Sequence, residues 1–181
     1  MIRFIEDKNE KSRISREILE ALTDWFEVEE SREQYIRESE DQPFWVSVED
    51  GVNEGFLCLK ETGKETMELA VMGVRKDCHR KGIGRRLFAA ARDYAALKGY
   101  EFIQVKTVRS GMYADYDITN EFYKSLGFKE LEVLPDYWDE ANPCQIYVMS
   151  LKSAINTIAE RHSYRGEFLQ NKRSNQMEKF T

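Results

Sequence analysis

Cysteine is scarce in this sequence, and the positions of the three cysteines exclude the sites that this residue usually builds. Cys58, Cys78 and Cys144 are odd in number and lack the spacing of a metal or redox site. We therefore expect reduced thiols and no bound metal. The cations around Cys78 favour a reactive thiolate, but a passive, packed side chain is the simpler interpretation of this residue.

Long apolar runs are absent, and so is a signal-peptide pattern at the amino terminus. No apolar stretch approaches the length that a membrane-spanning helix needs, which predicts a cytoplasmic protein without a membrane partner. The formal net charge is −6 at pH 7. Because nucleic-acid phosphates repel an acidic protein, this balance also argues against nucleic acid as the main partner.

The sequence does contain enough apolar residues for one substantial core. With 181 residues, of which 41% are hydrophobic and 33% charged, the chain has the composition of one folded domain. We expect this domain to span residues 1–152, because the periodic patterns weaken after Leu151. In residues 153–181, Ile155 and Ile158 fit a further amphipathic helix. The polar segment 165–181 is predicted to be partly disordered, or to be an arm that clasps a second copy in a homodimer.

The apolar periodicity predicts alternating strands and helices. Strands are expected at residues 2–5, 44–48, 55–59, 66–74, 101–108, 128–134 and 145–151, and helices around 14–22, around 35–36, at 83–97 and around Tyr123. Pro135 and Pro143 are assigned to the loop between the last two strands. Strands 66–74 and 101–108 should run parallel because a helix connects them. We therefore expect a mixed α/β sheet of six to seven strands that is otherwise mostly antiparallel, with flanking helices.

The run from His79 to Arg86 is the most informative segment of the chain. It reads His-Arg-Lys-Gly-Ile-Gly-Arg-Arg and joins a predicted buried strand to a predicted helix. A helix N-terminus offers unpaired backbone N–H groups, and glycines at positions 82 and 84 let an oxygen approach the main chain closely. Six cations fall within residues 75–86. Because cations oppose the dipole of the first helical turn, the cluster predicts that several phosphates bind this loop.

Two nucleotide-binding motifs are excluded by residues that the run lacks. A P-loop would continue with Gly-Lys-Ser/Thr, and a dinucleotide fingerprint would carry a third glycine where Leu87 stands. The run instead resembles the signature of the GNAT superfamily of acyl-CoA-dependent N-acetyltransferases: Gln or Arg, two residues, Gly, any residue, then Gly or Ala. Gly82 and Gly84 match this signature, whereas His79 departs from it at the first position.

A second segment, from Asn120 to Phe128, resembles the late helix of the same family, where an aromatic-Tyr pair is followed by Gly-Phe. Tyr123 matches the tyrosine that protonates the departing CoA thiolate in relatives. Many relatives carry an asparagine seven residues before that tyrosine. Here Tyr116 stands at that position and Asn120 lies closer to Tyr123, which leaves a cofactor contact by Asn120 open.

The resemblance covers residues 1–152 and implies a GNAT-like fold in which the two parallel strands splay apart. It also implies acetyl-CoA as co-substrate. The cofactor contacts that it implies are Met72, Gly73, Val74, His79, Arg80, Lys81, Gly82, Ile83, Gly84, Arg85 and Asn120. The implied activity is direct transfer of an acetyl group to a primary amine of a small molecule or protein. The alternative is a catalytically idle module that binds or senses acyl-CoA.

Two side chains are candidates for proton transfer. The Tyr123 phenol can donate to a leaving thiolate, with a tyrosine that only packs as the alternative. Glu68 is the best-placed carboxylate for a base, because period-two counting puts it on the strand face of Val74 and partial burial favours a proton acceptor. An outward-facing Glu68 is the alternative. The expected acceptor-side loops combine aromatic and acidic residues, which suits a cationic amine.

Overall fold

Seven strands and four helices build residues 1–152, the part of the chain that the structure, a computed structural model, describes. The strands are β1 (Ile2–Ile5), β2 (Phe44–Glu49), β3 (Val52–Gly63), β4 (Thr66–Val74), β5 (Phe102–Val108), β6 (Lys129–Asp139) and β7 (Asn142–Ser150). The helices are α1 (Lys8–Glu20), α2 (Glu29–Ser39), α3 (Ile83–Leu97) and α4 (Ala114–Leu126), and a short 3₁₀ helix spans Lys76–Cys78. The tail predicted for residues 153–181 lies outside the described residues. Within residues 1–152, no helix is long and apolar enough to cross a membrane.

The strands form one sheet in the order β1-β2-β3-β4-β5-β7-β6. Neighbouring strands are antiparallel except β4 and β5, which run parallel. These two strands pair only from Thr66 opposite Phe102 to Leu69 opposite Val105, and beyond that point they separate. The mixed sheet with one splayed parallel pair, expected from the sequence and the resemblance, is therefore confirmed.

Each face of the sheet carries an apolar core because each flanking helix has an apolar stripe. On one face, Ile83 and Leu87 of α3 pack with Leu57 of β3. On the other face, Ile14 and Ile18 of α1 are fully buried in a second cluster, to which α2 also contributes. Burying one such side chain stabilises the fold by about 1.5–3 kcal/mol, so the two cores fix the helices on opposite faces.

A β-bulge interrupts β4 at Ala70, where the pairing with β3 shifts by one residue. Before the bulge, Glu68 lies on the face of α1 and α2, where its cross-strand neighbour Lys60 reaches Glu38 of α2. After the bulge, Val74 packs against the α3 core. The prediction that Glu68 and Val74 share a face is therefore wrong, because period-two counting fails across an extra residue. The bulge also lies where β5 separates from β4, so it marks the start of the gap between these two strands.

The last hairpin is longer than the sequence predicts. Pro135 lies within β6 and Pro143 within β7, so their assignment to a loop is wrong. β6 is an edge strand, and its register with β7 shifts after Leu134. Because of both features, the hairpin tolerates the absence of a backbone N–H at each proline. The residues by which β6 extends beyond the predicted strand include Tyr137 and Trp138, which are 50% and 43% exposed at the sheet edge.

Candidate cofactor and catalytic site

The loop between β4 and α3 ends in an uncapped helix N-terminus. Gly82 is the N-cap of α3 with φ of 75°, and no side chain caps the helix. Arg80 also has a positive φ, 61°. Among the described residues, no carbonyl accepts from the backbone N–H groups of residues 80–85, whereas the N–H of Arg86 donates to the Gly82 carbonyl. Free N–H groups at the positive end of a helix dipole suit the phosphates that the sequence predicts.

The cations of this loop divide into two groups. Arg75 and Lys76 are ion-paired with aspartates, Arg85 donates to Ser125 at the end of α4, and Arg86 donates to the Lys81 carbonyl. The side chains of Arg80 and Lys81 are exposed and form no ion pair within residues 1–152. The variable pair of the motif therefore supplies the cations that are free to meet phosphates.

His79, the departure from the motif, folds back onto β4. Its ring Nε2 lies 2.7 Å from the carbonyl oxygen of Val74, and its backbone N–H donates to the Lys76 carbonyl at 3.2 Å. The ring also contacts the edge of Trp25 at 6.0 Å between centroids. In this arrangement His79 ties the loop to β4 and does not face the free N–H groups, so its cofactor contact stays a prediction.

The end of β4 presents free backbone groups on the side that β5 leaves. The Arg75 N–H donates to the Glu54 carbonyl at 2.9 Å, which sets the antiparallel alternation between β3 and β4. By that alternation, the backbone groups of Gly73 face β3, and those of Met72 and Val74 face the gap. An extended chain entering the gap can bind the backbone of Met72 and the N–H of Val74 as an added strand, whereas the Val74 carbonyl already contacts the His79 ring. The register does not favour the predicted backbone contact of Gly73 with the cofactor.

Two glycines near the loop are explained by helix packing. A Cβ on Gly73 would lie 2.8 Å from Cγ2 of Ile18, and one on Gly84 would lie 3.0 Å from Cζ of Phe122. The first glycine lets α1 approach β4, and the second lets α4 approach α3. Helix packing therefore explains why residue 84 is a glycine. This explanation is independent of the predicted role, in which the glycine lets a phosphate oxygen approach the main chain.

Tyr123 is almost fully buried between α4 and the sheet. The residue is 6% exposed, and its ring packs on Phe128 and Tyr147 with centroid distances of 5.9 and 6.3 Å. No group within residues 1–152 hydrogen-bonds to its hydroxyl. Burial raises the pKa of the phenol. The hydroxyl therefore keeps its proton at neutral pH and is available to a ligand.

Asn120 is fully buried and connects three elements. Its Nδ2 donates to the carbonyls of Val108 and Tyr116, at 3.0 and 2.6 Å, and its Oδ1 accepts from the Tyr147 hydroxyl at 2.7 Å. Because protein partners engage both ends of the amide, the geometry favours a structural role over the predicted cofactor contact. That contact stays a prediction.

Glu68, the predicted base, lies on the opposite face of the sheet from α3. Its Oε2 accepts from Nε2 of Gln104 at 3.0 Å and from Nζ of Lys106. The Glu68 side chain is 14% exposed and that of Lys106 is 18% exposed. The Lys106 ammonium also lies 5.6 Å from the centre of the Tyr137 ring. Glu68 is therefore largely buried and ion-paired, and the outward-facing alternative does not describe it.

The sequence interpretation missed Gln104 and Lys106. The available signal is the alternation in β5, where these two polar residues are interleaved with the buried Ile103 and Val105. Local alternation gives their shared face, but it does not give the register of β5 against β4 that brings them to Glu68.

The aromatic and acidic loops expected on the acceptor side include Asp117 and Asp139, and both of these residues have structural partners. Oδ1 of Asp117 accepts from Ser110 and from the N–H of Gly111, and Asp139 accepts from backbone and side-chain N–H groups at the tip of the last hairpin. These contacts weaken the charge argument for a cationic amine, which stays a prediction.

The splayed sheet and the loop at the N-terminus of α3 define the fold class of acyl-CoA-dependent acetyltransferases. The sequence matches the family described as "Acetyltransferase (GNAT) domain" over residues 40–130, and the chain belongs to this family. Among curated proteins, no match to the sequence was found.

Solved structures show the same fold. A putative GNAT acetyltransferase from Desulfovibrio desulfuricans is 19% identical, with a TM-score of 0.73 over 83% of this chain and 99% of that chain. A putative acetyltransferase from Salmonella typhimurium, determined with its cofactor acetyl-CoA, is 20% identical, with a TM-score of 0.65 over 83% and 93% of the two chains. The aminoglycoside 6'-N-acetyltransferase from Enterococcus faecium is 19% identical, with a TM-score of 0.65 over 83% and 97%. At these identities the likeness establishes the fold alone.

Proposed function

We propose that the protein is an N-acetyltransferase that uses acetyl-CoA to acetylate a primary amine of a small molecule or protein by direct transfer. One observation carries the proposal: the free N–H groups of residues 80–85 adjoin the gap-facing backbone of Met72 and the N–H of Val74. The first group suits the diphosphate of CoA, and the second suits its extended pantetheine arm. The acetyl-CoA in the Salmonella structure supports this choice of cofactor.

The proposed chemistry assigns one proton transfer to each face of the sheet. Bound acetyl-CoA supplies an acetyl group whose bond to sulfur is exchanged for a bond to the acceptor nitrogen. Tyr123, on the face of α3, donates its proton to the thiolate sulfur as charge develops there. Glu68, on the opposite face, accepts the proton that the acceptor nitrogen loses. A backbone N–H at the end of β4 stabilises the negative charge on the carbonyl oxygen.

The second candidate function is an idle acyl-CoA-binding or sensing module, and Tyr123 favours the enzyme over it. A tyrosine that only packs inside a core normally finds a partner for its hydroxyl, because an unsatisfied buried hydroxyl is destabilising. The Tyr123 hydroxyl has no partner within residues 1–152, although its ring is packed on two aromatic neighbours. A hydroxyl without a partner inside the described residues suits proton donation to a bound ligand.

The test measures thiol release from acetyl-CoA with spermidine, kanamycin, tryptamine, a peptide with an N-terminal alanine and aniline as acceptors. We expect turnover with at least one amine, and a kcat about 100-fold lower for Tyr123→Phe with an unchanged Kd for CoA by calorimetry. Tyr116→Phe is the matched control, because Tyr116 lies on the same helix but donates to the Trp25 carbonyl. CoA binding without release on any amine would support the idle module, and no binding heat would refute the whole assignment.

A further inference from the structure

A largely buried ion pair lies where the two parallel strands separate. Leu69 and Val105 are the last residues of β4 and β5 that pair, and Glu68 and Lys106 stand directly beside them in the chain. Burying two charges costs free energy that their mutual attraction does not fully restore. A pair at this position in the sheet therefore requires a further explanation, which its geometry supplies.

The hydrogen bonds to Glu68 engage only one of its two carboxylate oxygens. Gln104 and Lys106 both donate to Oε2, whereas Oε1 makes no hydrogen bond to any residue of the described part, and the Glu68 side chain is 14% exposed. The carboxylate is thus fixed in orientation with one oxygen open. The open oxygen lies on the face of α1 and α2, opposite the face of Tyr123.

The other groups around Lys106 keep its ammonium charged. Burial alone would lower the pKa of Lys106, but the hydrogen bond to Glu68 and the charge of that carboxylate outweigh this effect, so the pKa is raised. The titratable groups that face the pair come from four elements: Lys60 of β3, which is paired with Glu38, Tyr35 of α2, Tyr137 of β6 and Cys144 of β7. Lys60 is the one further cation among them, and its own partner neutralises it.

We propose that Lys106 is a positioning residue that orients Glu68 toward the acceptor and, by its own positive charge, drives the acceptor ammonium to release its proton. An ammonium bound at Oε1 would place two cations on one carboxylate, and like charges at such distances disfavour protonation. Lys106 is held by both Glu68 and the Tyr137 ring, so the acceptor is the group that loses a proton, and this proton passes to solvent when the amine binds. Glu68 then accepts the second proton, which the nitrogen loses after it attacks the thioester. This inference rests on the proposed function.

The proposal also distinguishes two classes of acceptor. An arylamine is neutral at pH 7 and gains nothing from a neighbouring cation. An aliphatic amine is protonated at pH 7 and cannot attack the thioester until it loses that proton. The charge of Lys106 is therefore expected to matter for an aliphatic primary amine and not for an arylamine.

The test removes the charge of Lys106 and keeps a hydrogen-bond donor. Lys106→Gln should move the acidic limb of the pH profile of kcat up by about one pH unit for the best aliphatic amine of the panel, a loss of about tenfold at pH 7 that disappears at alkaline pH. Lys106→Arg keeps the charge and should retain the wild-type limb. With aniline, which is neutral at pH 7, kcat at that pH should not change in either variant. Lys106→Met provides a second uncharged variant, and circular dichroism verifies that each variant is folded.

Calorimetry supplies a readout other than activity. Binding of the same amine to the complex with CoA is measured in two buffers that differ in ionisation enthalpy, which counts the protons released. The wild-type protein and Lys106→Arg should release more protons per amine than Lys106→Gln. Equal proton release in all three proteins, or a loss of kcat in Lys106→Gln that is the same at every pH, would overturn this inference and leave the proposed function intact. A wild-type protein that acetylates no amine of the panel would overturn both.

Discussion

Gly73 lacks a side chain because α1 lies directly over it. Its added Cβ would lie 2.8 Å from Ile18 and 3.0 Å from Leu22, both of which are buried. We predict that Gly73→Ala lowers the free energy of unfolding by about 1–3 kcal/mol, because neither neighbour has room to move. Chemical denaturation measures this loss. In Gly63→Ala, the matched control, the nearest atom to the new Cβ is 3.8 Å away, and stability should hold. Equal stability of the two variants would contradict the packing argument.

The residues of the loop between β4 and α3 could be identified from the sequence because they are consecutive in the chain. Residues 80–85 carry the free N–H groups that the motif predicts, and Tyr123 has the protonated, unpartnered hydroxyl that an acid needs. Lys106 could not be found in this way, since it meets Glu68 only through the pairing of two distant strands. Residues joined by tertiary register leave no local pattern.

Asn120 is the link between helix α4 and the sheet, and it supports a prediction about elements. Asn120→Ala leaves the Tyr147 hydroxyl and the Val108 carbonyl without their partner inside the protein. We predict a loss of about 2–3 kcal/mol in the free energy of unfolding, measured by thermal or chemical denaturation. Thr119→Ala, which removes a hydrogen bond within the same helix, is the control and should have a much smaller effect.

CoA affinity separates the two interpretations of Asn120. A structural link predicts that Asn120→Ala lowers stability and leaves the Kd for CoA unchanged at temperatures where the variant is folded. A stable variant with weaker CoA binding would show instead that Asn120 is a cofactor ligand. In a double-mutant cycle with Tyr147→Phe, the structural link also predicts that the double variant loses less stability than the sum of the losses of the two single variants.

The elements themselves were predictable where apolar periodicity was strong. β4 and α3 begin and end at the residues expected for them, because alternating and helical patterns are local. The bulge at Ala70 and the extension of β6 and β7 through two prolines were not predictable, since both depend on how one strand pairs with another. The error about the face of Glu68 follows directly from the bulge.

For the whole molecule, local patterns give the parallel pair but not the order of the sheet. A helix between β4 and β5 requires a parallel pairing, whereas the insertion of β7 between β5 and β6 depends on contacts between distant parts of the chain. This order places the last hairpin, with Tyr137, beside Lys106. The acceptor side of the proposed site is thus assembled by the strand order of the sheet. Its residues were therefore harder to predict than the consecutive residues of the loop between β4 and α3.

The expected domain boundary after residue 152 gives a prediction about the whole chain. Leu151 is fully buried in the core beside α3, and its N–H donates to the Glu101 carbonyl at 2.8 Å, whereas Lys152 is exposed. A chain of residues 1–152 should therefore keep its Tm within a few degrees and its Kd for CoA within about twofold. A chain of residues 1–150 is the matched control and should lose about 2–5 kcal/mol, because it removes a buried leucine from the core. Sedimentation of the full chain and of residues 1–152 at several concentrations tests the predicted homodimer arm, which requires that only the full chain associates. If residues 1–152 failed to fold or to bind CoA, residues 153–181 would belong to the domain and the boundary would be wrong.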